Sequence, residues 1–311
     1  MIIDNEWYGH RAALLRYASR NDQPCCAFVA HSSSLIWEYQ TFKFSGKLDL
    51  ISPILVWTNQ ESISMRRLGS TNVHSIGSPF LYAYLSSKHR VCSEREGTVV
   101  FPQHLVPGEG YTESNIIIIQ NLIDFTENNC EPPFIMSIPG FDPRISMINN
   151  KYRSEDWSFI SFGGRNELSF LDNFIKTVAR AKFVVVETSS SSAYYYSLFL
   201  SAKVLIFKHK SILDSNVCYS LAPCRKIRPE IEHLVNKSEL SDDEAKLLSG
   251  VVLGVSQIRP PEELLQLLGV DSIAKSVVAR VVHFITRLKY GQGAVAGNDD
   301  KKIVEIQGKV R

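Results

Sequence analysis

The stretch that most constrains the fold spans residues 182–207 and reads KFVVVETSSSSAYYYSLFLSAKVLIF. It contains two short apolar runs, 183–186 and 204–207, of the kind typical of strands buried on both faces. Four serines and a continuous apolar, aromatic segment of helical length separate the two runs. A strand, a turn, a helix and a second strand form a βαβ unit, and this connection makes the two strands parallel. The sequence therefore predicts an α/β protein with a parallel sheet.

The four serines, residues 189–192 (called the serine turn below), lie between a predicted strand and a predicted helix. Ligands of parallel sheets bind beyond the carboxyl ends of the strands, where the free N–H groups of helix N-termini attract anions. The hydroxyl groups of Ser189, Ser190 and Ser191 add hydrogen-bond donors, so this turn is a candidate phosphate site. Serine is also a favoured helix N-cap, and we weigh this structural role equally.

Strands alternate with helices along the rest of the chain in two successive sets. Before the serine turn, strands are predicted at 25–30, 52–57, 73–76, 98–101, 134–138 and 157–162. This alternation predicts two Rossmann-like, doubly wound α/β domains that face each other across a cleft, with a helical C-terminal region. The predicted domains are residues 1–95, which form a short first domain, and residues 96–290, which bind the nucleotide sugar. Residues 291–311 are expected to form a flexible tail.

Local signals mark the ends of several helices. The segments 58–61 (TNQE) and 241–244 (SDDE) match the capping box, in which a serine or threonine and a glutamate three residues later bond reciprocally. Ser78 precedes a proline at a first helical position. Asn166 is expected to cap a helix whose apolar side chains follow the 3.6-residue period.

Composition excludes several functional classes. The 311 residues carry a net charge of +2, and no basic stripe interleaves with aromatic residues, so nucleic-acid binding is not predicted. No apolar run reaches the roughly 18 residues of a membrane-spanning helix, and the N-terminus lacks the pattern of a secretory signal. The six cysteines show no CxxC pair, which excludes the usual zinc spacings and gives no disulfide framework. We therefore expect a cytoplasmic protein.

Polar residues collect after the predicted carboxyl ends of four strands, which occupy equivalent places in the fold. These clusters are His31 with serines 32–34, His104 with Glu109, Gly163 with Gly164 and Arg165, and the serine turn. Two facing Rossmann-like domains would bring such ends together at the cleft, where this architecture binds nucleotides.

Transfer of a sugar from a nucleotide donor suits a cleft of this kind. The leaving group is a phosphate or a diphosphate, and hydroxyls, helix N–H groups and a histidine can stabilise its charge without a metal. The acceptor hydroxyl needs a base, for which His31, Glu38 and Glu109 are the candidates. No acidic pair of the DxD type follows a predicted strand, so neither a metal nor another cofactor is expected.

Two further patterns have functional and structural interpretations. Tyrosines 194–196 would point about 100° apart on a helix, which favours packing against the sheet over a base-stacking platform. Arg280, Arg287 and Lys289 on the last predicted helix would form a basic face toward anionic lipid at the inner face of the membrane. A plain solvated face is the alternative.

Several segments carry a family resemblance, loosely over residues 9–207: GHRAALLRYASRND, CAFVAHSS, VWTNQESISMRRLGSTNVHSIGSPFLY, GTVVFPQH and VVVETSSSSAYYYSLFLSAKVLIF. They resemble glycosyltransferases of the GT-B fold from bacterial surface-polysaccharide genes and, more distantly, bacterial sialyltransferases and Kdo transferases. That resemblance implies that His104 and the serines at 189–191 bind the donor phosphate. The chain departs from the family where a His-Gly-Trp turn becomes His31-Ser32-Ser33, and where the acidic base motif leaves only Gly108-Glu109-Gly110.

The sequence therefore predicts a metal-independent glycosyltransferase that moves a sugar from a nucleotide-activated donor to a surface polysaccharide or glycolipid. Because both departures concern the catalytic base, two alternatives stay open. One is a non-catalytic relative that binds nucleotide sugars or serves in assembly, with a degenerate first domain. The other is a nucleotide-sugar epimerase or hydrolase on the same scaffold.

Overall fold

The structure is a computed structural model that describes most of the chain between residues 7 and 269. The described residues are 7–20, 27–30, 53–67, 69–103, 113–138, 142, 155–163, 167, 169–189, 191–207, 231, 233–234, 237 and 239–269. Predictions for the helix at 271–290, its basic face and the tail at 291–311 lie outside these residues.

Strands and helices alternate in chain order through the described residues. The strands are β1 (Phe28–Val29), β2 (Ile54–Val56), β3 (Val73–Ser75), β4 (Thr98–Phe101), β5 (Phe134–Ser137), β6 (Trp157–Ile160), β7 (Phe183–Val186) and β8 (Lys203–Ile206). The helices are α1 (His10–Tyr17), α2 (Asn59–Arg67), α3 (Pro79–Ser86), α4 (Glu113–Asn129), α5 (Phe170–Val178), α6 (Ser192–Phe199), α7 (Asp242–Leu253) and α8 (Pro261–Leu268). Short 3-10 turns span Trp7–Gly9 and Val255–Gln257.

These strands form two separate sheets in which all the described pairings are parallel. The first sheet has the order β1-β2-β3, and the second has the order β6-β5-β4-β7-β8. In the second sheet the chain moves outward from β4 to β6 and then returns to the other side of β4 to form β7. The order therefore reverses between β4 and β7, which makes their shared carboxyl end the switch point of the sheet.

Helices cover both faces of the second sheet, as a doubly wound fold requires. Alternate side chains of a strand point to opposite faces, and every residue of β7 is buried. Val184 and Val186 face a core that includes α5 and α6, whereas Val185 and Val100 face a core that includes α4. The predicted fold class, two Rossmann-like α/β units with a helical C-terminal region, is confirmed.

The first sheet is covered on both faces as well. Ile54, Val56 and Val73 lie in a small apolar cluster with Met65 of α2. On the opposite face, Leu55 packs in a cluster that contains residues of α1 and of the C-terminal helix α8. The chain thus returns to the first sheet after completing the second. The predicted division between residues 95 and 96 remains a prediction. It assigns α8 to the second domain, whereas α8 packs in the core of the first sheet.

One apolar core continues from the first sheet unit into the second. It joins Trp57 and Phe80 of the first unit to Phe174 of α5 and Tyr196 of α6. An ion pair between α1 and α5 reinforces the contact, because the Arg16 guanidinium donates through Nη2 to Asp172 Oδ1 at 2.8 Å and through Nη1 to Oδ2. The described parts of the two units are therefore fixed against each other.

No helix among the described residues combines the length and apolar character needed to span a bilayer.

Candidate functional site

The exits of β4 and β7 meet at the switch point of the second sheet. Gln103, two residues after β4, donates its backbone N–H to Oε2 of Glu187, the first residue after β7, at 2.9 Å. Only 7% of Glu187 is exposed. A buried carboxylate that accepts a backbone N–H fixes both strand exits in position, since leaving either group without a partner in the interior is costly. Thr188 follows, and the serine turn begins at Ser189.

The serine turn divides its hydroxyl groups between two roles. Ser191 is the N-cap of α6, because its side chain accepts a hydrogen bond from the Ala193 N–H at 3.2 Å. Its own N–H donates to the carbonyl of Thr188 at 3.4 Å, which closes the turn. The structural interpretation of the serines is therefore confirmed for Ser191. Ser189 precedes the cap and is 6% exposed, while Ser190 lies outside the described residues.

The N-terminus of α6 adds partial positive charge to this edge of the sheet, although Ser191 already accepts the Ala193 N–H at 3.2 Å and the Tyr194 N–H at 3.1 Å. The first N–H groups of a helix have no partner within the helix, and the helix dipole places partial positive charge there. The helix begins at Ser192, immediately beyond the switch point. The edge thus combines a helix N-terminus with hydroxyl groups, a set of donors suited to phosphate oxygens.

The predicted glycine cluster follows β6, at the far edge of the same sheet. Gly163 has a φ of +115°, and a Cβ on this residue would lie 2.2 Å from Cγ of Glu167, so only glycine fits. The Ser161 hydroxyl accepts the Gly163 N–H at 3.2 Å and holds the turn. Three strand spacings, about 14 Å, separate β6 from β7. Gly163 therefore lies along the same edge but away from the serine turn.

The exits of β2 and β3 are covered by residues 253–259 of the C-terminal region. Leu253 accepts the Ser78 N–H at 2.8 Å, and Gln257 accepts the Ser75 hydroxyl through Oε1 at 3.1 Å. Arg259 donates through Nε to the carbonyl of Ser75 at 3.1 Å. Residues 253–259 therefore cover the exits of β2 and β3. The described contacts of these residues do not include the exit of β1 at Ala30.

Trp57 holds the exit of β1 in place. Its indole Nε1 donates to the carbonyl of Ala30 at 3.0 Å, although Trp57 itself follows β2. Ala30 is the residue before His31, so the bond fixes the point from which that predicted catalytic residue leaves the sheet. His31 lies outside the described residues.

A buried histidine near Trp57 was not among the predicted site residues. His10 begins α1, is 3% exposed, and has its ring centre 6.3 Å from that of Trp57. It follows Tyr8 and Gly9, which both have left-handed backbones with φ of 54° and 73°. A positive φ is uncommon in a tyrosine and is a form of local strain often found near functional sites. In the sequence the Gly9-His10 pair stands within one of the segments that carry the family resemblance, and this is the signal that points to it.

Several predicted site residues lie outside the described residues. These are His31, Glu38, His104, Glu109, Ser190, Gly164 and Arg165. Their assignment to base catalysis or to donor phosphate binding stays a prediction. Of the described members, Ser189 and Ser191 lie together at the switch point beside Glu187, whereas Gly163 lies after β6.

One cavity lies along β8, the outer strand of the second sheet. It measures about 460 Å³, and Arg95, Tyr194, Ser201, Lys203 and Asp242 are among its lining residues. Lys203, Val204 and Ile206 line it along the length of β8, whereas ligands of open parallel sheets bind beyond the carboxyl edge. Segments 104–112, 139–141 and 208–230, which follow β4, β5 and β8 at the carboxyl edge, lie outside the described residues. We therefore rank the switch point above this cavity as the candidate site.

Comparison with known proteins gives similarity in three-dimensional structure only. No protein-family model matches the chain, and no curated protein matches its sequence. A putative UDP-N-acetylglucosamine 2-epimerase from Listeria monocytogenes aligns with a TM-score of 0.43 and 9% identity, over 82% of this chain and 69% of that one. The UDP-GlcNAc 2-epimerase from Methanocaldococcus jannaschii gives 0.36 and 11%, over 77% of this chain and 72% of that one.

A third solved structure, that of TarM, aligns with a TM-score of 0.30 and 14% identity, over 73% of this chain and 42% of that one. All three TM-scores are below 0.5, and the identities are below 25%. These similarities therefore assign the chain to no family, and its function has to be argued from its own geometry.

Proposed function

We propose that the chain binds a nucleotide-activated sugar at the switch point of its second sheet and transfers the sugar to a surface polysaccharide or glycolipid, without a metal. The observation that carries the proposal is the position of the serine turn and the N-terminus of α6 directly at the reversal between β4 and β7. Open α/β sheets bind their ligands in the crevice at such a reversal.

The donors at this edge suit the phosphate groups of a nucleotide sugar. The positive end of the α6 dipole and the Ser189 hydroxyl would attract phosphate oxygens, and charge on these oxygens grows as the sugar departs. The Gln103 N–H donates to Oε2 of Glu187 and offsets part of the negative charge that this carboxylate would present to a phosphate. His104, the next residue after Gln103, would add a further donor by the same reasoning that predicted it from the sequence.

The first sheet would supply the acceptor side through the exit of β1. Residues 253–259 cover the exits of β2 and β3, whereas the exit of β1 leads to His31 and to Glu38, two of the predicted bases. Glu109 would supply the base from the second unit instead. The base needs to lie within hydrogen-bond reach of the acceptor hydroxyl.

The same cover supports a second candidate function. A first sheet with two of its three described exits closed has little room for a large acceptor, which favours a nucleotide-sugar epimerase or hydrolase. These reactions require no glycan. If the chain is instead the non-catalytic relative that the sequence leaves open, it would bind the donor in the same place and catalyse no reaction.

A thermal-shift series with CMP, UDP, GDP and TDP tests the binding site. A ligand that binds only the native state at 100 times its Kd stabilises the fold by about 2.7 kcal/mol. At least one nucleotide is expected to raise the melting temperature, and Ser189→Ala and His104→Ala are expected to weaken its binding at least tenfold. Ser93→Ala, at an exposed site before β4, is the control and should bind normally. Failure of all four nucleotides to bind, or normal binding by both site variants, would refute the proposal.

Product analysis then separates the three functions. Incubation of the matching nucleotide sugar with and without a glycan acceptor is expected to give transfer only when the acceptor is present. Products formed without acceptor would identify the epimerase or hydrolase. Binding without turnover in both incubations would identify the non-catalytic relative.

A further inference from the structure

Strand β3 forms one outer edge of the first sheet among the described strands. The Asn72 carbonyl accepts the Ile54 N–H at 2.9 Å, so residue 72 directs its backbone groups toward β2. Successive residues of a strand in a sheet direct these groups to opposite sides, and Val73 and Ser75 therefore point theirs away from the sheet. Groups in this position are a ready template for pairing with another strand.

Arginine side chains occupy both of these outward carbonyls. Nη2 of Arg66, in α2, donates to the Val73 carbonyl at 2.8 Å. The Ser62 hydroxyl also donates to Val73, at 3.3 Å, so both lone pairs of this carbonyl are used. Nε of Arg259, in the segment that covers the exits of β2 and β3, donates to the Ser75 carbonyl at 3.1 Å. A new strand could pair with this edge only by displacing the two guanidinium groups.

The two arginines reach the edge from distant parts of the chain. Arg259 is anchored by its backbone N–H, which donates to the Tyr82 hydroxyl at 2.9 Å, and by Nη1, which lies 3.4 Å from Oε2 of Glu263. Burial, and then the charges of Arg66 and Arg259, lower the pKa of His74, the residue between the two occupied carbonyls. The edge is thus closed only when the C-terminal region is folded onto the first sheet.

We propose that Arg66 and Arg259 close the outer edge of β3 to a second copy of this chain. This inference is independent of the proposed function. The edge is self-complementary, because antiparallel pairing about a two-fold axis at His74 places Val73 of one copy opposite Ser75 of the other. Two residues that face each other in this way exchange both of their backbone hydrogen bonds. Without the arginines, the edge would therefore accept its own copy.

Strand β8, the outer strand of the second sheet, provides an internal comparison. Lys203 and Phe207 donate their N–H groups to β7 at 3.1 Å and 2.8 Å, so Val204 and Ile206 point theirs away from it. Both strands therefore have outward backbone groups, but the arginine bonds described above belong to β3. Removal of the two arginines is expected to change β3 and to leave β8 as it is.

The first experiment measures self-association by sedimentation velocity over a range of protein concentrations. The double variant Arg66→Ala, Arg259→Ala is expected to associate at least tenfold more tightly than the wild type, because both outward carbonyls become available. The pair Arg66→Met, Arg259→Met removes the same donors but keeps apolar side-chain stems, and it takes the place of the alanine pair if circular dichroism shows that pair to be unfolded. Association no tighter than that of the wild type would overturn the proposal.

A second double variant controls for the loss of charge. Removal of two cations brings the net charge from +2 to zero, which by itself promotes association. Arg67→Ala, Lys246→Ala causes the same change at two exposed positions that donate to neither outward carbonyl of β3. This variant is expected to associate within twofold of the wild type. An increase as large as that of the Arg66 and Arg259 variant would show that charge, and not the edge, controls association.

The second experiment locates the contact by amide hydrogen exchange. In the associated arginine variant, exchange at Val73 and Ser75 is expected to slow at least fivefold as the protein concentration rises, because their N–H groups enter the new pairing. The amides of Val204 and Ile206 are expected to keep their rates. Protection at β8 in place of β3, or at neither strand, would refute the assignment of the closed edge to β3.

Discussion

At the scale of single residues, Gly254 determines how closely the C-terminal region approaches the first sheet. It has a φ of +67°, and a Cβ on this residue would lie 2.1 Å from the carbonyl oxygen of Trp57. Gly254→Ala therefore introduces both a strained backbone and a collision with main chain that cannot rotate away. We expect it to lower the free energy of unfolding by more than the roughly 1–2 kcal/mol of a left-handed alanine alone. Urea unfolding followed by circular dichroism measures the difference.

Gly69 is the matched control for this substitution. Its φ is +98°, but nothing lies within 4 Å of a Cβ built on it. Gly69→Ala is therefore expected to show the backbone cost without the collision, and it should be clearly more stable than Gly254→Ala. Equal stability of the two variants would show that the cover formed by residues 253–259 can move away from Trp57.

A side-chain hydrogen bond is predictable from the sequence where its donor and its acceptor lie within one helical turn. The bonds between Thr58 and Glu61 confirm one predicted capping box, since the Glu61 carboxylate accepts the Thr58 N–H at 2.6 Å and the Glu61 N–H donates back at 3.3 Å. Glu187 could not be assigned in the same way. Its partner Gln103 lies 84 residues away, and only the pairing of β4 with β7 brings the two together.

At the scale of elements, the N-terminus of α7 couples helix formation to pH. The Ser241 side chain accepts the Glu244 N–H, and the Glu244 carboxylate accepts the Ser241 N–H at 2.9 Å. Bonds from Lys237, then from the Ser241 backbone, lower the pKa of Glu244 from 4.5 to about 2. Because the folded pKa is depressed, the stabilisation is complete above pH 4.5 and is lost as the pH falls toward 2.

Glu244→Gln tests this coupling. The variant is expected to melt below the wild type at pH 6, and the gap in melting temperature should narrow between pH 4.5 and pH 2.5. Lys237→Gln removes the first of the bonds to Glu244 and should show the same narrowing. A gap that stays constant over this range would mean that the charge of Glu244 contributes nothing to the cap.

Element types were predictable, and several element boundaries were not. The strand Thr98–Phe101 lies where its apolar run predicted it, and the helix Pro79–Ser86 begins where Ser78 and the following proline predicted it. The start of α5 was predicted wrongly at Asn166, because the helix begins at Phe170 with Ser169 as its N-cap. Asn166 has the right chemistry for a cap, and sequence alone could not choose between it and Ser169.

At the scale of the whole molecule, the reading of βαβ units predicted the two sheets but not how they meet. Parallel strands and short connections follow from composition and periodicity. The cover over β2 and β3 depends on contacts such as that between Ser75 and Gln257, which are 182 residues apart. No local pattern encodes a contact of this range, so the predicted open cleft could not reveal that two exits of the first sheet are closed.

The continuous core predicts that both sheet units unfold together. Phe80 of the first unit contacts Tyr196, Phe174 and Phe199 of the second, and its side chain is fully buried. Calorimetry of the wild type is expected to show one transition with equal van't Hoff and calorimetric enthalpies. Phe80→Ala removes the shared aromatic ring, costs about 3–5 kcal/mol, and should separate the melting of the two units.

Phe134→Ala is the control for the effect of Phe80→Ala on the melting of the two units. Phe134 is 5% exposed and stacks on Trp157 at 4.9 Å, but its core lies on the α4 face of the second sheet, away from the first unit. It is therefore expected to lower the melting temperature by a comparable amount while a single transition persists. If Phe134→Ala split the transition as Phe80→Ala does, any large cavity would have that effect. Cooperativity would then come from overall stability rather than from the aromatic contact between the sheets.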